Sequence, residues 1–75
     1  MNASEIHSRV AALPELPEII ARSMLVAQSF KLTGSDREAV KARCDFLREM
    51  ELPPFVMLTV RDARGARLGD LTYSI

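Results

Sequence analysis

The sequence predicts one α+β domain spanning residues 1–75, in which three helices precede a C-terminal antiparallel β-hairpin. In the first two thirds of the chain, apolar residues recur at helical spacing in segments separated by proline or glycine. From Phe55 onward, β-branched and aromatic residues instead flank the turn sequence DARG at residues 62–65. Hydrophobic residues make up 48% of the chain, which is too apolar for a disordered segment and suits one small core.

The first helix is predicted over Ala3–Ala12. Asn2 or Ser4 can cap its N-terminus, because a short polar side chain accepts a hydrogen bond from the backbone N–H groups that lack a partner there. Pro14 disfavours helical dihedral angles in the residue before it and therefore ends the helix. The residues that form its short apolar stripe are Ile6, Val10 and Leu13.

The second helix is predicted over Pro17–Leu32. Pro17 suits the first helical turn, where its missing N–H costs little, and Gly34 suits the left-handed position that ends a helix. Apolar residues occur on nearly every side of this segment, and even its more polar side contains Leu25. A helix with this pattern is usually buried on more than one side, so we expect a partner to cover Leu25.

The third helix is predicted to begin at the sequence SDRE, residues 35–38. This is the pattern of a capping box, in which the Ser35 side chain accepts a hydrogen bond from the Glu38 N–H and Glu38 reaches back. The prolines of LPP at residues 52–54 end the helix. Cys44 lies on the apolar row of this helix and is the only cysteine, so we expect a packed core thiol and no internal disulfide.

The hairpin is predicted to turn through a type I turn followed by a glycine bulge, with Asp62 in the first position and Gly65 in the left-handed one. This turn places Arg61 directly opposite Arg67. The other cross-strand pairs that it predicts are Asp62–Ala66, Val60–Leu68, Met57–Leu71 and Phe55–Tyr73.

This register predicts a hairpin that is largely apolar on both faces. The helices can cover the face that carries Val56, Leu58, Val60 and Leu68. The other face carries Phe55, Met57, Leu71, Tyr73 and Ile75. Because it needs a second cover and both strands are open edges, we expect a homodimer or a protein partner to bind there, with Phe55, Met57 and Tyr73 in the interface.

Three arginines around the turn, Arg61, Arg64 and Arg67, are the charged candidates for partner binding. Arg61 and Arg67 repel each other when they lie opposite on one face, so an anion is expected between them. The sequence leaves three sources open: Glu49 or Glu51 of the preceding helix, a carboxylate of a partner, or a phosphate.

Composition and motifs argue against several functions. Ten basic and ten acidic residues give a net charge of zero, which supplies no long-range attraction to nucleic acid or to an anionic membrane. His7 is the single histidine and is expected at the surface, and no pattern of catalytic, metal-binding or cofactor-binding residues is present. We therefore expect no enzyme, no cofactor and no small-molecule substrate.

The sequence also bears on location. The N-terminal residues lack the pattern of a signal peptide, and the longest apolar run, MLVA, is far too short to span a membrane. We therefore expect a cytoplasmic protein.

The function that these observations favour is stoichiometric binding. We expect a small protein-interaction module that homodimerises through the hairpin, the second helix or both, and that acts as an adaptor, an accessory subunit or an inhibitor of a larger complex. Small proteins without an active site, including some encoded by phages, often act as such blockers. The alternative is a regulator that binds nucleic acid through the arginine-bearing hairpin.

Overall fold

A computed structural model of the chain describes residues 2–75 and contains helices packed against a β-sheet. The α+β class predicted from the sequence is confirmed. The elements in chain order are α1 (Ala3–Ala12), β1 (Ile19–Ile20), α2 (Met24–Gln28), α3 (Gly34–Glu49), β2 (Phe55–Arg61) and β3 (Arg67–Ser74).

The sheet has three strands in the order β1–β2–β3, so the predicted two-stranded hairpin is only part of it. β2 pairs antiparallel with β3, as expected, and parallel with the short β1. Ile19 lies opposite Val60, and the Ala21 N–H donates a hydrogen bond to the Arg61 carbonyl oxygen at 2.9 Å. β2 is therefore the central strand.

The predicted second helix over Pro17–Leu32 is wrong. Its first part is extended, because the β-branched Ile19 and Ile20 pair with β2, and Ile19 enters the core. Within the range predicted as one helix, only α2 is helical. The Ser23 hydroxyl caps α2 by accepting a hydrogen bond from the Val26 N–H at 3.3 Å. The apolar pattern that suggested one long buried helix thus belongs to a strand and a short helix.

The N-terminus of α3 also differs from the prediction. The capping residue is Thr33, whose side chain makes no capping hydrogen bond, and the predicted capping box of Ser35 and Glu38 is absent. Gly34 does adopt a left-handed conformation, with φ of 56°, but it begins α3 and does not end the preceding helix.

Two serines therefore have different expected effects on stability. Ser23→Ala should lower the free energy of unfolding by about 0.5–1 kcal/mol, because it removes the cap of α2. Ser35→Ala should change it by less than about 0.5 kcal/mol, since the Ser35 side chain lies outside the cap. Urea unfolding followed by circular dichroism measures both, and a larger loss for Ser35→Ala than for Ser23→Ala would contradict the assignment.

The C-terminus of α3 ends in a Schellman motif. The Leu52 N–H donates to the Leu47 carbonyl at 2.9 Å, and the Glu51 N–H donates to the Arg48 carbonyl at 3.0 Å. Glu51 occupies the left-handed position of this motif with φ of 58°, where glycine is the residue that fits without strain.

Glu51→Gly is therefore expected to raise the free energy of unfolding by about 0.5–1 kcal/mol, because it relieves that strain. The matched control is Glu38→Gly, an exposed position inside α3, where the same substitution should cost about 1 kcal/mol. Thermal or urea unfolding compares the two. Equal losses at both positions would show that Glu51 is not strained.

The core lies between α3 and one face of the sheet. β2 alternates strictly, with Val56, Leu58 and Val60 buried and Phe55 and Met57 exposed. The buried residues that complete the core are Ile19, Ala21, Ala27, Ala39, Val40, Cys44 and Phe46. Cys44 is fully buried and free, so the expected packed thiol is confirmed.

The turn of the hairpin agrees with the prediction. The Asp62 N–H donates to the Ala66 carbonyl at 2.9 Å, the Gly65 N–H donates to the Asp62 carbonyl at 3.0 Å, and Gly65 has φ of 88°. The Asp62 carboxylate also accepts from the N–H groups of Arg64 and Ala66, each at 2.9 Å. Arg61 lies opposite Arg67, as predicted.

Beyond the turn the predicted register is wrong by one residue. A β-bulge places Val60 opposite Gly69, where Leu68 was expected, and the later pairs follow it. Gly69 also allows α2 to pack closely against β3 at this point, because a Cβ on residue 69 would lie 3.1 Å from the Met24 sulfur. The observed pairs that replace the predicted ones are Met57–Thr72, Leu58–Leu71, Val56–Tyr73 and Phe55–Ser74.

A shift of one residue moves every later side chain of β3 to the opposite face. Leu71 and Tyr73 therefore pack on the core side, so the predicted apolar second face with Leu71 and Tyr73 is wrong. The face that points away from α3 is hereafter the outer sheet face. Its residues are Ile20, Phe55, Met57, Thr59, Arg61, Arg67, Asp70, Thr72 and Ser74.

The predicted first helix over Ala3–Ala12 is confirmed, and its cap is Asn2, whose side-chain oxygen accepts from the Glu5 N–H at 2.8 Å. No residue of α1 is buried. Arg9 attaches it to α3 through an ion pair with Glu49 and by lying 5.0 Å from the centre of the Phe46 ring. None of the helices in residues 2–75 is both long and apolar enough to cross a membrane.

Candidate functional site

Apart from the separate Val10 and Leu52, the exposed large apolar side chains form two groups. The first group lies on α2, which packs against β3, and just after it: Leu25 and Val26 of α2 and the following Phe30 are exposed, Leu25 by 79%. The sequence prediction that Leu25 needs a cover remains a prediction, since no other part of the described chain supplies one.

The edge of β3 beside α2 has no neighbouring strand within residues 2–75. The Arg61 carbonyl accepts a hydrogen bond from the Ala21 N–H. The N–H and C=O groups of Arg61, and of every second β2 residue before it, therefore point toward the side of the sheet where β1 lies. The N–H and C=O groups of the other β2 residues point toward β3, where they pair with Gly69, Leu71 and Tyr73. The β3 residues whose N–H and C=O groups point away from the sheet are consequently Asp70, Thr72 and Ser74. These three residues, with Leu25, Val26 and Phe30, are hereafter the β3 edge surface.

The second exposed apolar area is the centre of the outer sheet face. Met57 is 54% exposed and Ile20 is 60% exposed, and Phe55 is also exposed. An open groove of about 280 Å³ runs beside Met57, between the segment 16–18 and β2. β1 pairs only with Val60 and Arg61, so the edge of β2 near Met57 is left open on that side.

Each of the two opposed arginines has its own carboxylate. Arg61 Nε lies 3.1 Å from a Glu18 carboxylate oxygen, and its Nη1 donates to the Gly65 carbonyl at 2.9 Å. Arg67 pairs with Asp70, three residues further along β3. The expectation of one anion shared between Arg61 and Arg67 is therefore wrong, because the bulge brings Asp70 to the same face as Arg67.

The carboxylates that the sequence offered as candidates lie elsewhere. Glu49 pairs with Arg9 of α1, and Glu51 lies in the Schellman motif at the other end of the sheet from the turn. The actual partner of Arg61, Glu18, belongs to the segment before β1. Its proximity follows from the pairing of β1 with β2, which the sequence prediction missed.

Arg64 is exposed on the turn, and its guanidinium makes no ion pair within residues 2–75. It lines an open groove of about 540 Å³ together with Arg22, which is likewise without an ion pair among the described residues. The other residues that line this groove are Ile20, Ala21, Asp62 and Ala63. Two cations thus flank an apolar floor between β1 and the hairpin turn.

Tyr73 does not lie on the outer sheet face, where the sequence placed it. It is half-buried on the core side, and its hydroxyl donates a hydrogen bond to the Phe30 carbonyl at 3.3 Å. Burial raises the pKa of the Tyr73 phenol above its ordinary value. Tyr73 therefore holds the residues that follow α2 against β3 and is not a direct contact on the outer face.

The structure thus separates the seven predicted partner-binding residues. Phe55, Met57, Arg61 and Arg67 share the outer sheet face, whereas Arg64 lies on the turn and Leu25 and Tyr73 belong to the other side. Sequence reasoning missed Ile20, Val26 and Phe30 as exposed residues, because it assigned all three to one buried helix.

Within residues 2–75, no group of three His, Cys, Asp or Glu side chains is arranged to hold a metal ion. Comparisons of the chain with protein-family models, with curated proteins and with solved structures find no match.

Proposed function

We propose that this chain is a small cytoplasmic protein-interaction module that acts by stoichiometric binding, without catalysis of its own. It forms a homodimer and binds a protein partner as an adaptor, an accessory subunit or an inhibitor of a larger complex. The free, buried Cys44 suits a reducing compartment.

The observation that carries this proposal is the amount of surface left exposed. The chain exposes 5394 Å², whereas a compact monomer of its mass, 8.4 kDa, exposes roughly 4,600 Å². The difference is roughly 800 Å², part of it on α1, none of whose residues is buried, and it is of the order that one partner contributes to a standard protein interface. The radius of gyration of 13.7 Å likewise exceeds the roughly 11 Å of a compact chain of this length.

The outer sheet face has the composition of a surface for a protein partner. Its centre is apolar, with Met57 and Phe55 exposed, and its rim carries the ion pairs Arg61–Glu18 and Arg67–Asp70. An apolar centre within a polar rim of both charges is the usual anatomy of a protein interface. We assign the protein partner to this face.

Two measurements test the proposal. Light scattering across a dilution series should give twice the chain mass of 8.4 kDa at the higher concentrations. Affinity capture from the native host, followed by reconstitution with the purified partner, should fail for Met57→Glu and succeed for Arg37→Gln on the exposed side of α3. A monomer at every concentration would contradict the proposed homodimer. Equal binding by both variants would exclude the outer sheet face as the partner's binding site.

The alternative is binding of nucleic acid through the hairpin, and the observation that favours it is the pair Arg22 and Arg64 beside the turn. Against it, Arg61 and Arg67 are already paired with carboxylates. Binding to phosphates weakens steeply with salt, and Arg64→Gln should then reduce the salt slope by roughly one. Tight, salt-sensitive binding of a duplex or single strand that Arg64→Gln weakens would favour this alternative over a protein partner.

A further inference from the structure

We propose that the homodimer forms by antiparallel pairing of β3 with β3 of a second copy. This pairing joins the two three-stranded sheets into one, with the α2 helices of both copies packed over the seam. The inference rests on the proposed homodimer and names the surface that forms it.

From Gly69 to Ser74 the β3 edge carries a single charge, at Asp70, and no lysine, proline or bulge. Proteins that keep an edge strand from pairing place lysine, proline or a bulge along it. The outward-facing positions of β3 are Asp70, Thr72 and Ser74, and the single bulge lies at Leu68, before them. From Gly69 onward the strand therefore offers a continuous row of backbone donors and acceptors.

A two-fold axis has a favourable position on this strand. An axis at Asp70 would set two aspartates directly opposite each other, which is repulsive. An axis at Thr72 sets Thr72 opposite its copy and Asp70 opposite Ser74 of the other copy, whose hydroxyl can donate to the carboxylate. On the core side the same register sets Leu71 opposite Tyr73. We infer the register centred on Thr72.

α2 and the residues that follow it lie along β3. Met24 of α2 contacts Gly69, and the carbonyl of Phe30, two residues beyond α2, accepts a hydrogen bond from the Tyr73 hydroxyl. A two-fold axis perpendicular to the sheet leaves both α2 helices on the same side of it. The exposed Leu25 and Val26 of each α2, with the neighbouring Phe30, then flank the seam and supply its apolar contacts.

One occupant can cover the β3 edge and α2 together. A standard interface of about 1,600 Å² takes roughly 800 Å² from each partner, and the excess exposure of the whole chain, to which the unburied α1 contributes, is of the same order. Strand pairing alone leaves the exposed apolar side of α2 uncovered, whereas the second copy covers the edge and α2 together.

Disulfide crosslinking tests the register. Directly opposed residues of an antiparallel pair have Cα atoms about 4.5–5.5 Å apart, within the range of a disulfide. Thr72→Cys should therefore form a covalent dimer under mild oxidation, whereas Met57→Cys on the central strand should not. The native Cys44 is fully buried and does not interfere. Equal crosslinking of both variants, or none for Thr72→Cys, would overturn the register.

Two further variants test the surface itself. Thr72→Pro removes an N–H that points away from β2, so the monomer should keep its circular dichroism spectrum while dimerisation weakens at least about 100-fold. Leu25→Glu should also weaken the dimer, by placing a charge beside the seam, and it tests the surface even where the proline variant unfolds. Met57→Glu should leave the dimer mass measured by light scattering unchanged.

The outcomes separate this inference from the proposed function. A dimeric wild type that Met57→Glu dissociates, and that Thr72→Pro and Leu25→Glu leave intact, would move the interface to the outer sheet face and overturn the inference alone. A wild type that stays monomeric at all concentrations would overturn the homodimer itself.

Discussion

Leu58→Ala is expected to lower the free energy of unfolding by about 3–4 kcal/mol. Leu58 is 1% exposed at the centre of β2 and is the largest of the fully buried side chains. Truncating it loses the transfer free energy of the removed carbons and leaves a cavity in a small core. A chain of 75 residues is stabilised in total by only about 4–11 kcal/mol, so this variant should be close to unfolding at physiological temperature.

The matched control is Met57→Ala, the preceding residue of the same strand, whose side chain lies on the outer sheet face. It should change stability by no more than about 0.5 kcal/mol. Urea unfolding at one fixed protein concentration measures both, because the proposed dimerisation would make the midpoint depend on concentration. Similar losses at the two positions would show that β2 is not buried on one face only.

Cys44→Ser is expected to cost about 2 kcal/mol. Cys44 is fully buried in the apolar cluster between α3 and the sheet, next to residues such as Val40 and Val60. A serine hydroxyl has nearly the same shape as a thiol, but burying it without a hydrogen bond costs about 1–3 kcal/mol. The measurement is again the urea midpoint.

Cys44→Ala is the control, because it removes volume without adding a polar group and should cost less than Cys44→Ser. In the wild type, the thiol should react with a thiol reagent only when the domain opens, so denaturant should accelerate labelling in step with unfolding. Rapid labelling of the folded chain would contradict the buried placement of Cys44.

The two proposed surfaces share Asp70, Thr72 and Ser74, whose backbone groups point out of the β3 edge and whose side chains lie on the outer sheet face. The proposed homodimer uses the backbone of these residues, and the proposed protein partner contacts the side chains of the outer sheet face. In the proposed dimer the two outer sheet faces lie on the same side of one continuous sheet, since the two-fold axis is perpendicular to it. A partner with two matching sites would then bind both faces at once, with higher overall affinity than either face alone provides.

The features that local sequence predicts are those stabilised by near neighbours. α1 has the predicted bounds, because its cap at Asn2 and its stop at Pro14 act within a few residues of the helix. The turn from Asp62 to Ala66 is also as predicted, because Gly65 and the Asp62 carboxylate define it locally. The pairing of Arg61 with Arg67 follows from that turn alone.

The features that the sequence prediction missed depend on residues far apart in the chain. β1 has two residues and becomes a strand only because β2, some forty positions later, offers backbone partners to Ile19 and Ile20. Without β2 in view, the apolar run from Ile19 to Phe30 fits a helix equally well, since short apolar runs carry no decisive period. Because of that error, the prediction missed the exposed positions of Ile20, Val26 and Phe30.

The α+β class, the first helix, the hairpin turn, the buried thiol and the opposed arginines could all be predicted from the amino-acid sequence, since each rests on short-range geometry or on hydrophobic alternation. The third strand, the bulge at Leu68 and the carboxylate that each arginine meets depend on contacts between distant parts of the chain. Side chains of a strand alternate with a period of two residues, so the one extra residue, accommodated where Gly69 packs against Met24, moves Leu71 and Tyr73 into the core. That single shift gives β3 a polar outer face and leaves Phe55, Met57 and Ile20 as the exposed apolar residues of the outer sheet face.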